Sequence, residues 1–128
     1  MADAHAFLEK WKAAGRGDRE ALVADDATFL SPAFWGPKQG KEYVLTVLGQ
    51  VGGGTEDFEI HNEWVQDNRI IFEFTARIGE IGMKGVDIIT VGDDGKLQQL
   101  EVLIRPINAL MAMAEHVKTA FKQPDAAE

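Results

Sequence analysis

The sequence predicts an α+β domain in which helices cover one face of a long, curved, mostly antiparallel sheet that rolls around a cavity. Three observations predict it. Apolar residues recur at helical spacing up to Val51, the period becomes twofold from Glu56 onward, and an amphipathic stretch follows Pro106.

Taken in order, Phe7, Leu8, Trp11 and Ala14 lie at helical spacing behind a capping Asp3, and Gly15-Arg16-Gly17 break the pattern. Asp18 caps a short second helix expected to run through Val23 and stop at Asp25-Asp26. Ala27, Phe29 and Ser31 alternate with Thr28 and Leu30 as a half-buried strand. Pro32 ends it, because proline has no N–H for a ladder. Residues 33–40, AFWGPKQG, hold two glycines and a proline and form a loop. Phe34 and Trp35 are costly to leave in water, so this loop is expected to fold inward as a lid. Val44, Val47, Leu48 and Val51 then make a third amphipathic helix, ended by Gly52-Gly53-Gly54.

In the second half, Phe58, Ile60, Asn62 and Trp64, then Ile70, Phe72, Phe74, Ala76 and Ile78, form one mostly apolar face. Glu59, His61, Glu63, Glu73 and Arg77 fall on the other, with a turn at Asp67-Asn68. A third strand spans Ile81 to Val91, and Asp93-Asp94-Gly95 turns it into a fourth, Leu97 to Arg105. Leu100, Val102 and Ile104 are its inward set, while Glu101 and Arg105 face outward. Pro106 is suited to the first position of a last helix with the stripe Ile107, Leu110, Met111, Ala114, Val117 and Phe121. Met111 and Met113 are expected in the core. The domain is placed at residues 1–122, with residues 123–128 a small polar tail that frays.

A chain of 128 residues with 45% hydrophobic and 27% charged residues suits one domain with a real core. It contains no cysteine, which rules out disulfides, thiolate ligation and cysteine nucleophiles and fits a reducing cytoplasm. No apolar run approaches a membrane span, and the N-terminal residues lack a signal-peptide core. A net charge of −8 disfavours nucleic acid and anionic membranes as partners. The three histidines are scattered without ligand spacing, so no metal or other cofactor is expected. A small molecule and a second copy of the chain remain as partners.

The ordered set GDREALVADDATFLSP, Gly40-Lys41 and VDIITVGDDGKLQQLEVLIRP resembles the nuclear transport factor two-like superfamily, in its SnoaL-like and ketosteroid isomerase-like branch. The resemblance covers nearly the whole chain. It implies a cone-shaped, cystatin-like fold with an apolar pocket, dimerisation through the outer sheet face, and functions that range from isomerases and cyclases to binding modules.

The isomerases of that family use a carboxylate base and acidic donors that stabilise a dienolate oxygen. By that resemblance, Asp87, eight residues before Gly95, matches the oxyanion-binding aspartate. Burial beside Ile89 and Val91 would keep it protonated. The base position, directly before Pro32, holds Ser31, which cannot act as that base unless another group activates it. The nearest match to the oxyanion tyrosine is Trp11, a donor but not an acid.

Two readings stand for Asp87: acid–base catalysis, or a carboxyl that orders the pocket by bonding Trp11, Ser31 or a strand-end amide. Ser31 reads as a hydrogen-bonding or strand-capping residue. Phe29, Phe34, Trp35, Phe72 and Phe74 are core and pocket wall, with Ile89 and Val102 beside them. The expected function is binding of a small, mainly apolar molecule. The alternatives are an isomerase or lyase/cyclase that uses Asp87, and a dimeric protein-interaction module.

Overall fold

The computed structural model describes residues 3–15 and 17–122, the side chains of 120–122 excepted, as three α-helices against one six-stranded sheet. Helix α1 (Ala4–Ala13) is followed by a 3-10 helix (Asp18–Leu22), strands β1 (Val23–Leu30) and β2 (Lys38–Gln39), and helix α2 (Lys41–Gly54). Strands β3 (Glu56–Gln66), β4 (Arg69–Ile78), β5 (Ile81–Val91) and β6 (Leu97–Arg105) form the meander, and helix α3 (Ile107–Lys122) closes the chain. The sheet order is β2-β1-β6-β5-β4-β3, with β1 parallel to β6 and every other pair antiparallel.

The predicted α+β architecture is therefore the one observed, and its local causes are visible. Asp3 caps α1, its carboxylate accepting from the Ala6 N–H at 3.1 Å. The hairpin turns place Asp67, Gly79 and Gly95 at φ of 55°, 60° and 78°, a left-handed conformation open to glycine and tolerated by aspartate. Twofold alternation buries Ile70, Phe72, Phe74 and Ala76 of β4 in one core with Ile89, Leu100, Val44, Phe7 and Trp11. Gly85 lies opposite Phe74, where a Cβ would overlap the ring. The ring uses that space and stacks on Phe58 with centroids 5.0 Å apart.

The structure corrects several element-level expectations. The predicted second helix is a single 3-10 helix, and β1 already begins at Val23 because Val23, Ala24 and Ala27 are all buried. The three glycines do not end α2, which runs through Gly54; there a Cβ would collide with the His116 ring. The parity of β3 changes because Ile60 and Glu63 pair with Phe74 and Phe72, three residues against two. That bulge turns Trp64 to the outer face opposite Ile71 and lets Glu63 bond Lys12 of α1.

Pro106 stands one residue ahead of α3, and its carbonyl accepts from Leu110 N–H at 3.0 Å. The buried face of α3 is rotated from the predicted stripe: Ala109 and Met113 are buried, whereas Ile107 and Met111 are exposed. The Phe121 side chain, Arg16, residues 1–2 and the tail 123–128 lie outside the described residues.

Candidate functional site

The sheet and the helices packed against it enclose two adjoining chambers. The inner one, about 390 Å³, is walled by Trp11, Phe58, Phe72, Phe74 and Leu100 and also reaches Lys12, Arg19 and Asp87. The outer one, about 460 Å³, lies between residues 31–34 and helix α3, with Ser31, Phe34, Leu110, Met113 and Val117 in its wall. Phe29, Val47, Val51, Val102 and Ile104 line both, so the two chambers adjoin across these side chains.

Register places Asp87 of β5 between Phe72 of β4 and Val102 of β6, all on the concave face. Burial among these apolar walls pushes its carboxyl up from an ordinary 3.8 to about 7, against the opposing pull of the Arg19 charge. Asp87 is half-buried, and its exposed edge faces the inner chamber. Among the described residues no hydrogen bond or ion pair engages its carboxyl. The expected bonds to Trp11, Ser31 or a strand-end amide are not formed.

Arg19, from the 3-10 helix, is the other polar feature of the chamber. Its guanidinium lies 4.7 Å from the centroid of the Trp11 ring, which itself stacks on Phe7 at 5.5 Å. Burial lowers its pKa, an effect the Asp87 charge opposes, and its buried Nε has no hydrogen-bond partner.

Of the residues singled out in the sequence, Trp11, Phe29, Phe72, Phe74, Asp87 and Val102 converge on the inner chamber. Ser31 and Phe34 instead join Phe29 and Val102 in the outer one. The Ser31 Oγ accepts from the Ala33 N–H at 2.9 Å, so it stabilises the turn after β1. Ile89 is completely buried and lines neither chamber.

Trp35 also lines neither. The loop does not fold inward as a lid: Trp35 is 101% exposed, while Phe34 beside it turns one edge toward the outer chamber beneath Lys38. The chain bends just after these two rings, at Gly36 with φ 107°. The residue that sequence reasoning missed is Arg19. It sits in a polar turn with no apolar period, and only the pairing of β1 with β6 brings the 3-10 helix over the chamber.

Among the described residues, no group of three His, Asp or Glu side chains is arranged to hold a metal, and no helix is long and apolar enough to cross a membrane. Residues 4–100 match the model of the SnoaL-like domain, and the chain belongs to that family. It is 33% identical to a steroid delta-isomerase from Pseudomonas aeruginosa, over 92% of this chain and 90% of that one, with a TM-score of 0.83. An uncharacterized protein with a cystatin-like fold from Silicibacter pomeroyi is 27% identical over 96% and 89% of the two chains, with a TM-score of 0.86. A de novo designed protein with a curved β-sheet, 13% identical, shares the fold over 87% of this chain and 90% of its own at a TM-score of 0.67. No functionally curated protein matches the sequence.

Proposed function

We propose that this SnoaL-like domain binds one small, mainly apolar molecule in the cone, with a carbonyl or hydroxyl of that molecule against Asp87. The supporting observation is the inner chamber itself: aromatic and aliphatic walls converge on a single carboxyl that has no protein hydrogen bond among the described residues. Such a group has a place for a ligand's polar atom, and the walls supply the affinity. Native mass spectrometry of freshly purified protein, followed by denaturation, should release one apolar compound per chain. Val102→Trp, which fills the space shared by both chambers, should abolish that occupancy. An empty protein that also ignores a panel of aryl and steroidal ketones would sink the proposal.

A second reading is isomerase-type catalysis, favoured by the position of the Asp87 pKa, about 7, and by the likeness to a steroid delta-isomerase. At neutral pH both forms of the carboxyl are populated, so it could take a proton from the carbon beside a ligand carbonyl and return it farther along the conjugated system. Arg19 would then stabilise the charge that develops on the oxygen. Ser31 has no part in this scheme, being in the outer chamber. Asp87→Asn should abolish conversion of an unconjugated to a conjugated ketosteroid, measured by ultraviolet absorbance. An unchanged rate would remove Asp87 from the chemistry, and no rate in the unaltered protein would leave binding as the function.

The outer sheet face suits a second copy of the chain. Trp64 and Leu103 are 52% and 49% exposed there, on the same face as Ile71, Val86 and Ile88. Sedimentation should give a dimer that Trp64→Glu with Leu103→Glu dissociates, and a monomeric unaltered protein would refute that assembly. With no cysteine in the chain, a reducing cytoplasm is the proposed setting.

A further inference from the structure

The charges within the inner chamber narrow the kind of molecule it takes. Three ionisable side chains reach the chamber: Lys12, Arg19 and Asp87. Lys12 is committed, its Nζ lying 3.1 Å and 2.9 Å from the two carboxylate oxygens of Glu63 and 3.5 Å from Glu9. Arg19 is not. Its Nε–H is buried without an acceptor, and among the described residues its guanidinium makes no ion pair, only the contact with the Trp11 face. Asp87 shares the chamber with Arg19, yet the two do not form an ion pair.

Where the Arg19 guanidinium lines an apolar chamber without an ion pair, an acceptor that reaches its accessible N–H groups gains a charge-assisted bond that no described protein group supplies. The group that best fits the edge of a guanidinium is a carboxylate, which takes two parallel N–H bonds. Building on the cavity reading above, we propose that the ligand is an apolar carboxylic acid, its carboxylate held between Arg19 and Asp87 and its hydrocarbon or aryl body against Phe72, Phe74 and Val102. Asp87 takes part as a protonated donor to the second carboxylate oxygen. Its pKa of about 7 makes that form accessible near neutrality, and a bound anion would favour it further. Arg105 lies on the outer face of β6 opposite Lys84 and has no part in the site.

Calorimetric titration with 3-phenylpropanoate and with 3-phenylpropanamide tests this. At about pH 6 the acid should bind roughly tenfold or more tightly than the amide, as expected for a charge-assisted, two-point hydrogen bond. Arg19→Met should remove that preference while leaving the amide's affinity within about threefold, and Arg19→Lys should restore part of it. Should Arg19→Met fold poorly, the unaltered protein still decides the matter. Its affinity for the acid should fall about tenfold between about pH 6 and about pH 8, as a carboxyl with a pKa near 7 loses its proton, while affinity for the amide stays level.

Lys12 and Arg19 are the other charged groups on the chamber, and neither titrates in that range; its remaining lining is uncharged. His116 lies in a separate groove beside Arg19, so the series is repeated in His116→Gln. Equal affinity for acid and amide would overturn the inference while leaving the cavity reading in place, and so would a preference that survives Arg19→Met. Failure of both probes would also overturn it. The compound released in mass spectrometry would separate that failure from failure of the cavity reading.

Discussion

Asp87 makes the stability of this protein depend on pH in a defined direction. The carboxyl moves from an ordinary 3.8 to about 7 on folding, chiefly because burial disfavours its charged form. Between those values the unfolded chain has released the Asp87 proton and the folded chain still holds it. The folded state therefore binds more protons there, and stability falls as pH rises. The loss begins near the unfolded value, grows by about 1.4 kcal/mol per pH unit, and is complete above about pH 7, for a total of about 4 kcal/mol.

Asp87→Asn keeps the size and polarity of the side chain but removes the proton. Urea unfolding of both proteins across about pH 4 to about pH 9 gives a difference in which every other titrating group cancels. The substituted protein should gain on the unaltered one steadily up to about pH 7 and then hold a constant margin. Parallel stability curves across that range would refute the burial argument and return Asp87 to the ordinary carboxylate range. A margin that opened as pH fell would mean that Arg19 dominates over burial.

Three further outcomes follow from particular contacts. Gly85→Val should destabilise the fold by about 1–3 kcal/mol in chemical denaturation, because its Cβ overlaps the Phe74 ring and the Phe74–Phe58 stack must give way. Arg19→Met should push the Asp87 pKa higher still, by removing the charge that opposes burial, so the pH window just described shifts upward in the same unfolding series. Trp35→Ser should change the melting midpoint by an amount equivalent to no more than about 0.5 kcal/mol, since the ring is wholly in solvent; a larger loss would show that the loop closes over the outer chamber.

The meander was legible because period and punctuation agree: the turns at Asp67-Asn68 and Asp93-Asp94-Gly95 separate runs whose inward residues, Ile70, Phe72, Phe74 and Leu100, are all buried. Legibility failed where one residue of offset decides the outcome. The bulge between Ile60 and Glu63 inverts the rest of β3, and no local residue type announces it. On α3, Met113 is buried as expected, but a small rotation puts Ala109 at the buried face and turns Met111 and Ile107 to solvent. Hydrophobicity alone points Trp35 inward, and in the folded chain its ring is wholly exposed.

The site divides along the same line. Asp87 could be placed from its strand parity, since it shares a face with Ile89 and Val91, and that parity also accounts for its raised pKa. Arg19 could not, because its proximity to Asp87 depends on the parallel pairing of β1 with β6, a contact between segments far apart in the chain. Yet Arg19 changes what Asp87 can do. Burial favours the neutral donor form of the carboxyl and the Arg19 charge favours its ionised acceptor form, and with both present it titrates at about 7. With serine directly before Pro32 and tied to the Ala33 amide, the carboxyl of the chambers is Asp87 at the inner one, beside Arg19.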